Sequence, residues 1–133
     1  VSINDVADRA PRALGDGEAL KIGRRSVRWI DAPHMPHAWE CGFLYDELTH
    51  TLFCGDLFTQ PGAKHAPLVE SDILGPSEDF RKQLNYFSNT RDSDALIAKI
   101  AATEPETLAC MHGSAWHGDG ARLLRELGKS LAS

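Results

Sequence analysis

The chain has 133 residues and a formal charge of −5, from 14 Lys and Arg against 19 Asp and Glu. This length suits one domain, and a hydrophobic content of 42% argues against a disordered chain. The acidic balance disfavours nucleic acid as a partner, because phosphate contacts need clustered Lys and Arg.

The chain contains no apolar run near the roughly 20 residues that cross a bilayer, so we expect no membrane span. Its three cysteines, Cys41, Cys54 and Cys110, have no regular spacing. An odd number of widely spaced cysteines is not a disulfide framework and favours a reducing, cytoplasmic setting.

The first half of the chain is predicted to form β-strands. Short runs with apolar and β-branched residues, bounded by turn residues, predict strands over 19–22, 26–32, 42–45 and 51–54. The last two are separated by a five-residue connection, 46–50, which is typical of a hairpin with a longer loop.

The second half is predicted to be mainly helical. A Pro- and Gly-rich loop over 59–76 precedes a helix that Ser77 would cap, with Glu78 and Asp79 in its first turn and Phe80, Leu84 and Phe87 on one stripe. The predicted elements that follow are a helix from Asp92 or Ser93, a strand over 107–111 and a helix capped by Asp119. Strands followed by helices around one further strand predict a layered α/β fold.

Three side chains that can bind metal lie just beyond predicted strands: His37, Asp56 and His112. A strand fixes the direction of the residue at its end, so such positions suit rigid ligands. Imidazole and carboxylate together suit Zn²⁺ or Fe. Taken singly, each residue also has a simpler interpretation as a loop histidine, a turn aspartate or a solvated strand end. Their spacing matches neither a zinc finger nor His-Glu-x-x-His.

The order and surroundings of these segments resemble the metallo-β-lactamase superfamily. The motifs are PHAWECGFLYDE over 36–47, TLFCGDLF over 51–58 and MHG over 111–113. They are similar to that family's metal-binding histidine, its strand ending in Leu-Tyr-Asp, its Leu-Phe-x-Gly-Asp and its final His-Gly. The resemblance implies an α/β fold: half of an αβ/βα sandwich, with a mixed, mainly antiparallel sheet covered by helices.

The resemblance also implies a metal site. His37 would bind the first of two divalent ions (Zn or Fe), Asp56 would bridge the two, and His112 would bind the second. Such a centre activates water, so the implied function is hydrolysis of a small-molecule substrate such as an ester, thioester or amide. The resemblance assigns no further catalytic residue.

The family's His-x-His-x-Asp-His motif is missing from the chain. Residues 1–133 are therefore expected to be a single unit, the C-terminal half of a metallo-β-lactamase-like domain, and the first residue, Val1, agrees with an internal piece. The missing N-terminal half would be a partner. Three ligands are too few for two ions, so the isolated chain is expected to bind metal weakly and to be inactive. Half a sandwich also leaves an apolar sheet face uncovered, which predicts oligomers.

Some details resemble the flavodiiron and oxygen-binding di-iron branch of the superfamily. They are PHAWE over 36–40, the aromatic-rich stretch 78–89 and HGSAW over 112–116. This branch implies an alternative function, a di-iron protein that binds or reduces oxygen or nitric oxide. A third hypothesis is a metal-free remnant used for binding or assembly.

Other polar side chains near these segments have two interpretations each. Cys54 and Cys110 each precede a proposed ligand by two residues; they are redox thiols or, as we favour, small buried hydrophobes. His65 is a proton donor to the cleft or a solvated loop histidine. His34 is expected to be a loop residue beside His37 rather than the ligand itself.

Overall fold

The structure is a computed structural model that describes residues 5–88 and 91–132. In chain order, the elements of this part are the strands β1 (Ala19–Ile22), β2 (Arg25–Asp31), β3 (Gly42–Asp46), β4 (Thr51–Phe53) and β5 (Leu68–Val69), the helices α1 (Leu74–Leu84) and α2 (Ser93–Ala101), the strands β6 (Thr107–Ala109) and β7 (Ala115–His117), and the helix α3 (Gly120–Leu131).

The strands form one mixed sheet in the order β1-β2-β3-β4-β6-β7-β5. The pairs β1–β2, β2–β3, β3–β4 and β6–β7 are antiparallel, whereas β4–β6 and β5–β7 are parallel. The parallel pairing of β4 with β6 needs a long crossover, which contains α1 and α2. The predicted α/β class with a mixed, mainly antiparallel sheet is therefore confirmed.

One face of the sheet packs against helices. Alternate side chains of the central strands point to this face and are buried with apolar residues of α2 and α3. The sheet contributes Ile30, Phe43, Tyr45, Leu52, Leu108 and Trp116, and the two helices contribute Leu96, Ile97, Ile100, Leu123, Leu124 and Leu127. Each aliphatic side chain of this kind contributes about 1.5–3 kcal/mol when it leaves water.

The opposite face of the sheet, here called the outer face, is apolar and only partly covered. Register places Trp29, Leu44, Phe53 and Ala109 side by side across β2, β3, β4 and β6. Phe53 is 49% exposed, although it lies in a central strand. Trp29 also lines a neighbouring hollow together with Trp39 and Met111. Trp39 and Met111 are 59% and 69% exposed. An apolar row at the middle of a sheet is typical of a surface that another layer covers.

Helix α1 differs from its prediction at both ends. It begins at Leu74, not after Ser77, and the Asp72 carboxylate accepts hydrogen bonds from the backbone N–H groups of Leu74 and Gly75. Asp72 satisfies these free N–H groups, so the helix starts inside the predicted loop and Ser77 is buried within it. The helix ends at Leu84, so Phe87 lies beyond it and is not on its stripe.

Glu78, which was predicted to lie in the first turn of α1, instead ties α1 to α3. Its carboxylate accepts hydrogen bonds from Arg81 Nη2 at 2.7 Å and from the Ser130 hydroxyl on α3. Burial would raise the pKa of Glu78, but these hydrogen bonds outweigh it and hold that pKa below its ordinary value. The carboxylate therefore stays charged at neutral pH, and this link is lost as the pH falls through the folded-state pKa.

The remaining elements agree closely with the sequence. Helix α2 begins at Ser93, and α3 begins at Gly120 with the Asp119 side chain accepting from the Arg122 backbone N–H at 2.8 Å. The predicted strand over 107–111 is shorter, and the strands β5 and β7 were not predicted. In the described part of the chain, no helix is long and apolar enough to cross a membrane.

Candidate metal centre

Asp56 lies in a tight turn directly after β4. The backbone N–H of Leu57 donates to the Cys54 carbonyl at 2.9 Å, and Gly55 has a φ of 49°. That left-handed conformation favours glycine, so the sequence Gly-Asp turns the chain sharply and presents the aspartate at the end of the strand. The Thr59 hydroxyl donates to the Asp56 carbonyl at 2.8 Å and closes the turn.

His37 reaches Asp56 from the loop between β2 and β3. Its Nε2 lies 2.5 Å from Asp56 Oδ2, and its ring stacks on Trp39 with a centroid distance of 4.4 Å and an angle of 12° between the rings. The imidazole is thus held in place by an aromatic face on one side and a carboxylate at its tip.

His112 approaches the same carboxylate from the loop after β6. Its Nε2 lies 3.4 Å from Asp56 Oδ1, and its side chain is 57% exposed. The three residues, which lie far apart in the sequence, therefore meet at one carboxylate. Their role as metal ligands stays a prediction.

Gln60 fixes the loop that carries His112. Its side-chain amide donates to the Phe58 and Ser114 carbonyls at 3.1 Å and accepts from the Ser114 N–H at 3.1 Å. The Gln60 backbone N–H donates to the His112 carbonyl at 3.0 Å. Gly113 has a φ of 107°, and a Cβ there would lie 2.7 Å from the Gln60 side chain. Sequence reasoning missed Gln60, because no motif links it to a loop more than 50 residues away.

One oxygen of Asp56 is left without a partner. Within residues 5–88 and 91–132, Asp56 Oδ1 is buried and accepts no hydrogen bond, since His112 Nε2 at 3.4 Å does not reach hydrogen-bonding geometry. A buried carboxylate oxygen without a partner is costly. A cation held between this oxygen and His112 would supply the missing interaction, so the donor set fits part of a metal site.

The same geometry shows why the site is only part of one. His37 Nε2 and Asp56 Oδ2 are in direct contact at 2.5 Å, so they would have to move apart to hold an ion between them. No three His, Cys, Asp or Glu side chains of the described residues are arranged to hold an ion. Additional donors from outside these residues would be needed for two ions.

Tyr86 covers the site from the segment after α1. Its hydroxyl donates to the Asp56 carbonyl at 3.3 Å, and its ring lies 6.2 Å from that of His37. Burial raises the pKa of Tyr86, so its hydroxyl is neutral. An open cavity of about 160 Å³ is lined by the three proposed ligands together with Thr59, Phe80, Leu84 and Tyr86. In the sequence, Tyr86 is indicated only as part of stretch 78–89, which resembles the flavodiiron and oxygen-binding di-iron branch.

The other candidate residues lie elsewhere. His34 and His65 are exposed and do not line this cavity. Cys54 is fully buried and Cys110 is half-buried. A hydrogen bond with Cys110, together with burial, raises the pKa of the Cys54 thiol. The Cys54 thiol is thus protonated at neutral pH and packs in the core.

The chain is similar in structure to solved proteins, but the sequence comparisons found no match. No protein-family model and no curated protein matches the chain. A flavodiiron protein from Giardia intestinalis superimposes with a TM-score of 0.66 at 20% identity, over 90% of this chain and 30% of that one. Rubredoxin oxygen:oxidoreductase from Desulfovibrio gigas gives 0.64 at 19% identity, over 96% and 33%. The chemotaxis sensor ODP, solved as a peroxy di-iron species, gives 0.67 at 18% identity, over 84% and 49%.

These likenesses establish the fold. The chain has the metallo-β-lactamase-like fold of the flavodiiron core, so the predicted fold is confirmed. The chain spans between about a third and a half of the length of these solved structures. That partial coverage fits the C-terminal half of a longer domain.

Proposed function

We propose that this chain, with its metallo-β-lactamase-like fold, supplies three ligands to a di-iron site in a longer protein that binds or reduces dioxygen or nitric oxide. His37 and His112 would each bind one iron, and Asp56 would bridge the two. The proposal includes the domain boundary, with residues 1–133 as the C-terminal half of the domain. The hydrolase hypothesis with zinc stays a prediction.

The observation that carries this proposal is the convergence on Asp56. One of its oxygens contacts His37, and the other is buried and unpartnered on the side of His112. A carboxylate that offers its two oxygens to two imidazoles has the donor arrangement of a bridging ligand. A purely structural turn aspartate would instead bond to nearby backbone N–H groups.

The choice of iron draws on the structural neighbours. Two of them carry names that refer to di-iron, and the third is named as an oxygen oxidoreductase. At 18–20% identity these names do not transfer by themselves. Imidazole and carboxylate serve iron as well as zinc, and the donor set is therefore compatible with this choice.

The residues of this chain would orient and enclose the site. Trp39 fixes the ring plane of His37, and Gln60 fixes the loop that carries His112. The neutral Tyr86 hydroxyl and the Phe80 ring line the wall of the cavity. A pair of irons would supply the electrons that dioxygen or nitric oxide accepts.

Full-length protein reconstituted with Fe²⁺ without oxygen tests this function. We expect two irons per protein, and consumption of dioxygen or nitric oxide when a chemical reductant is added. Preferential loading with zinc, together with esterase or thioesterase turnover, would support the hydrolase hypothesis instead. If the metal content were unchanged in His37→Ala and His112→Ala variants, the site would not bind metal and the chain would be a remnant.

We also propose that the N-terminal half of the domain covers the outer face. That half would bring the missing ligands, and its sheet would lie on the apolar row that contains Trp29, Leu44 and Phe53. The isolated chain of 133 residues should then associate with itself, because a large apolar face remains in water.

We expect Phe53→Lys to weaken this self-association. Phe53 is half-exposed at the centre of the outer face, so a charge there opposes docking of an apolar layer without disturbing the core. Sedimentation of the isolated chain at micromolar concentration measures the effect. Leu48→Lys, in the β3–β4 turn and also exposed, is the matched control and should associate like the wild type. A monomeric wild-type chain would contradict this expectation.

A further inference from the structure

Cys54 and Cys110 face each other across the parallel pair β4–β6. The register that pairs Phe53 with Ala109 continues to these two residues, and the Cys54 backbone N–H donates to the Ala109 carbonyl at 3.1 Å. Their sulfur atoms lie 4.0 Å apart. Both thiols are free. The contact joins residues 56 positions apart in the sequence and is set by the sheet rather than by a flexible loop.

The spacing of neighbouring strands suits a covalent bond between these sulfurs. Paired strands lie about 4.8 Å apart, which falls within the range of Cα separations seen for disulfides. The sulfurs must close from 4.0 Å to about 2.05 Å. Rotation of the two side chains and a small adjustment of the strands accomplish this, because the backbones are already in register.

The two thiols differ in access. Cys54 is fully buried, whereas Cys110 is half-buried. A small, uncharged oxidant therefore meets Cys110 first. Cys41, the third cysteine, is also half-buried, but its sulfur contacts the His37 carbonyl at 3.8 Å rather than another thiol. The structure thus provides a resolving partner for Cys110 and none for Cys41 among the described residues.

We propose that Cys54 and Cys110 form a reversible intramolecular disulfide with peroxides as the oxidant. The Cys110 sulfur attacks one peroxide oxygen, the O–O bond breaks, and one water leaves as Cys110 becomes a sulfenic acid. The Cys54 sulfur then attacks the Cys110 sulfur, the S–O bond breaks, and a second water leaves. Two thiols are oxidised and one hydrogen peroxide is reduced to two waters.

Because of the position of Cys54 and Cys110, a disulfide between them would affect the loops that carry Asp56 and His112. Cys54 precedes Asp56 by two residues, and Cys110 precedes His112 by two. A disulfide would tie together the two strand ends that carry these side chains. The redox state of the thiols would thus set how far the Asp56 and His112 loops can separate. The disulfide itself does not depend on the proposed di-iron function.

Mass spectrometry on the metal-free, full-length protein tests the proposal. After treatment with hydrogen peroxide and alkylation, we expect a peptide pair linked through Cys54 and Cys110, with Cys41 still alkylated. Dithiothreitol should restore both thiols. In Cys54→Ala, Cys110 should accumulate as a sulfenic acid that dimedone traps, because its resolving partner is gone. Cys41→Ser should leave the linkage unchanged.

Three results would overturn the proposal. They are oxidation of Cys110 to the sulfinic acid while Cys54 stays free, linkage through Cys41, and linkage between separate chains. Loss of iron binding in the metal experiments would leave the linkage result untouched, since this test uses metal-free protein.

Discussion

Replacing Asp56 with asparagine is expected to abolish metal binding while leaving the fold intact. The substitution keeps the shape of the side chain but removes the charge that both imidazoles face. Loss of a partner that only orients a metal ligand costs about 10–100-fold in affinity, so loss of a bridging ligand should cost about 100-fold or more. We expect the iron content of purified full-length protein to fall below one ion per chain.

The stability of metal-free protein should move little in Asp56→Asn. The wild-type carboxylate has one oxygen in contact with His37 and one buried oxygen without a partner, so the loss of the His37 contact is offset by removal of the unpartnered oxygen. The free energy of unfolding, measured in urea, should change by less than about 1 kcal/mol. Asp79→Asn, at an exposed position of α1, is the control and should retain iron. Normal iron content in Asp56→Asn would refute the bridging role.

Replacing Gln60 with leucine should destabilise the protein and loosen His112 together. Leucine has a similar volume but cannot bond to the backbone of Ser114, which is buried. Each buried polar group left unpaired costs about 1–3 kcal/mol, so we expect a loss of about 3 kcal/mol in the free energy of unfolding. Iron affinity should also fall, because the backbone bond to His112 lies in the same loop.

Urea denaturation and iron titration of the same preparations measure these two effects. Gln83→Leu is the matched control, since Gln83 is exposed on α1, and its stability should change by less than about 0.5 kcal/mol. A Gln60→Leu protein that lost stability but bound iron with wild-type affinity would show that Gln60 supports the fold without positioning His112.

The sequence predicts those parts of the fold in which local patterns and tertiary packing agree. The β2–β3–β4 meander follows from alternation and turn residues, and α3 follows from its cap at Asp119 and the leucine stripe that packs on the sheet. The resemblance of three motifs to the metallo-β-lactamase superfamily implied that His37, Asp56 and His112 meet, and the structure brings them together.

The features that the sequence did not predict depend on contacts between distant segments. Strands β5 and β7 have two and three residues and exist because each finds a partner across the sheet. The sequence predicts the start of α1 four residues too late, because Asp72 rather than Ser77 satisfies its first N–H groups. Gln60 bonds to a loop far along the chain, which no local pattern reveals.

The parallel pairing of β4 with β6 has a consequence for the order of folding. The strand ends that deliver Asp56 and His112 are neighbours in space, but α1 and α2 intervene between them along the chain. Contacts between such distant segments form slowly, because the entropy of closing a long loop is lost before the contact stabilises anything. During synthesis, ribosome-bound chains that end before β6 cannot yet bring the two side chains together. Metal binding at the proposed site would consequently be one of the last events in maturation, after the crossover helices have docked.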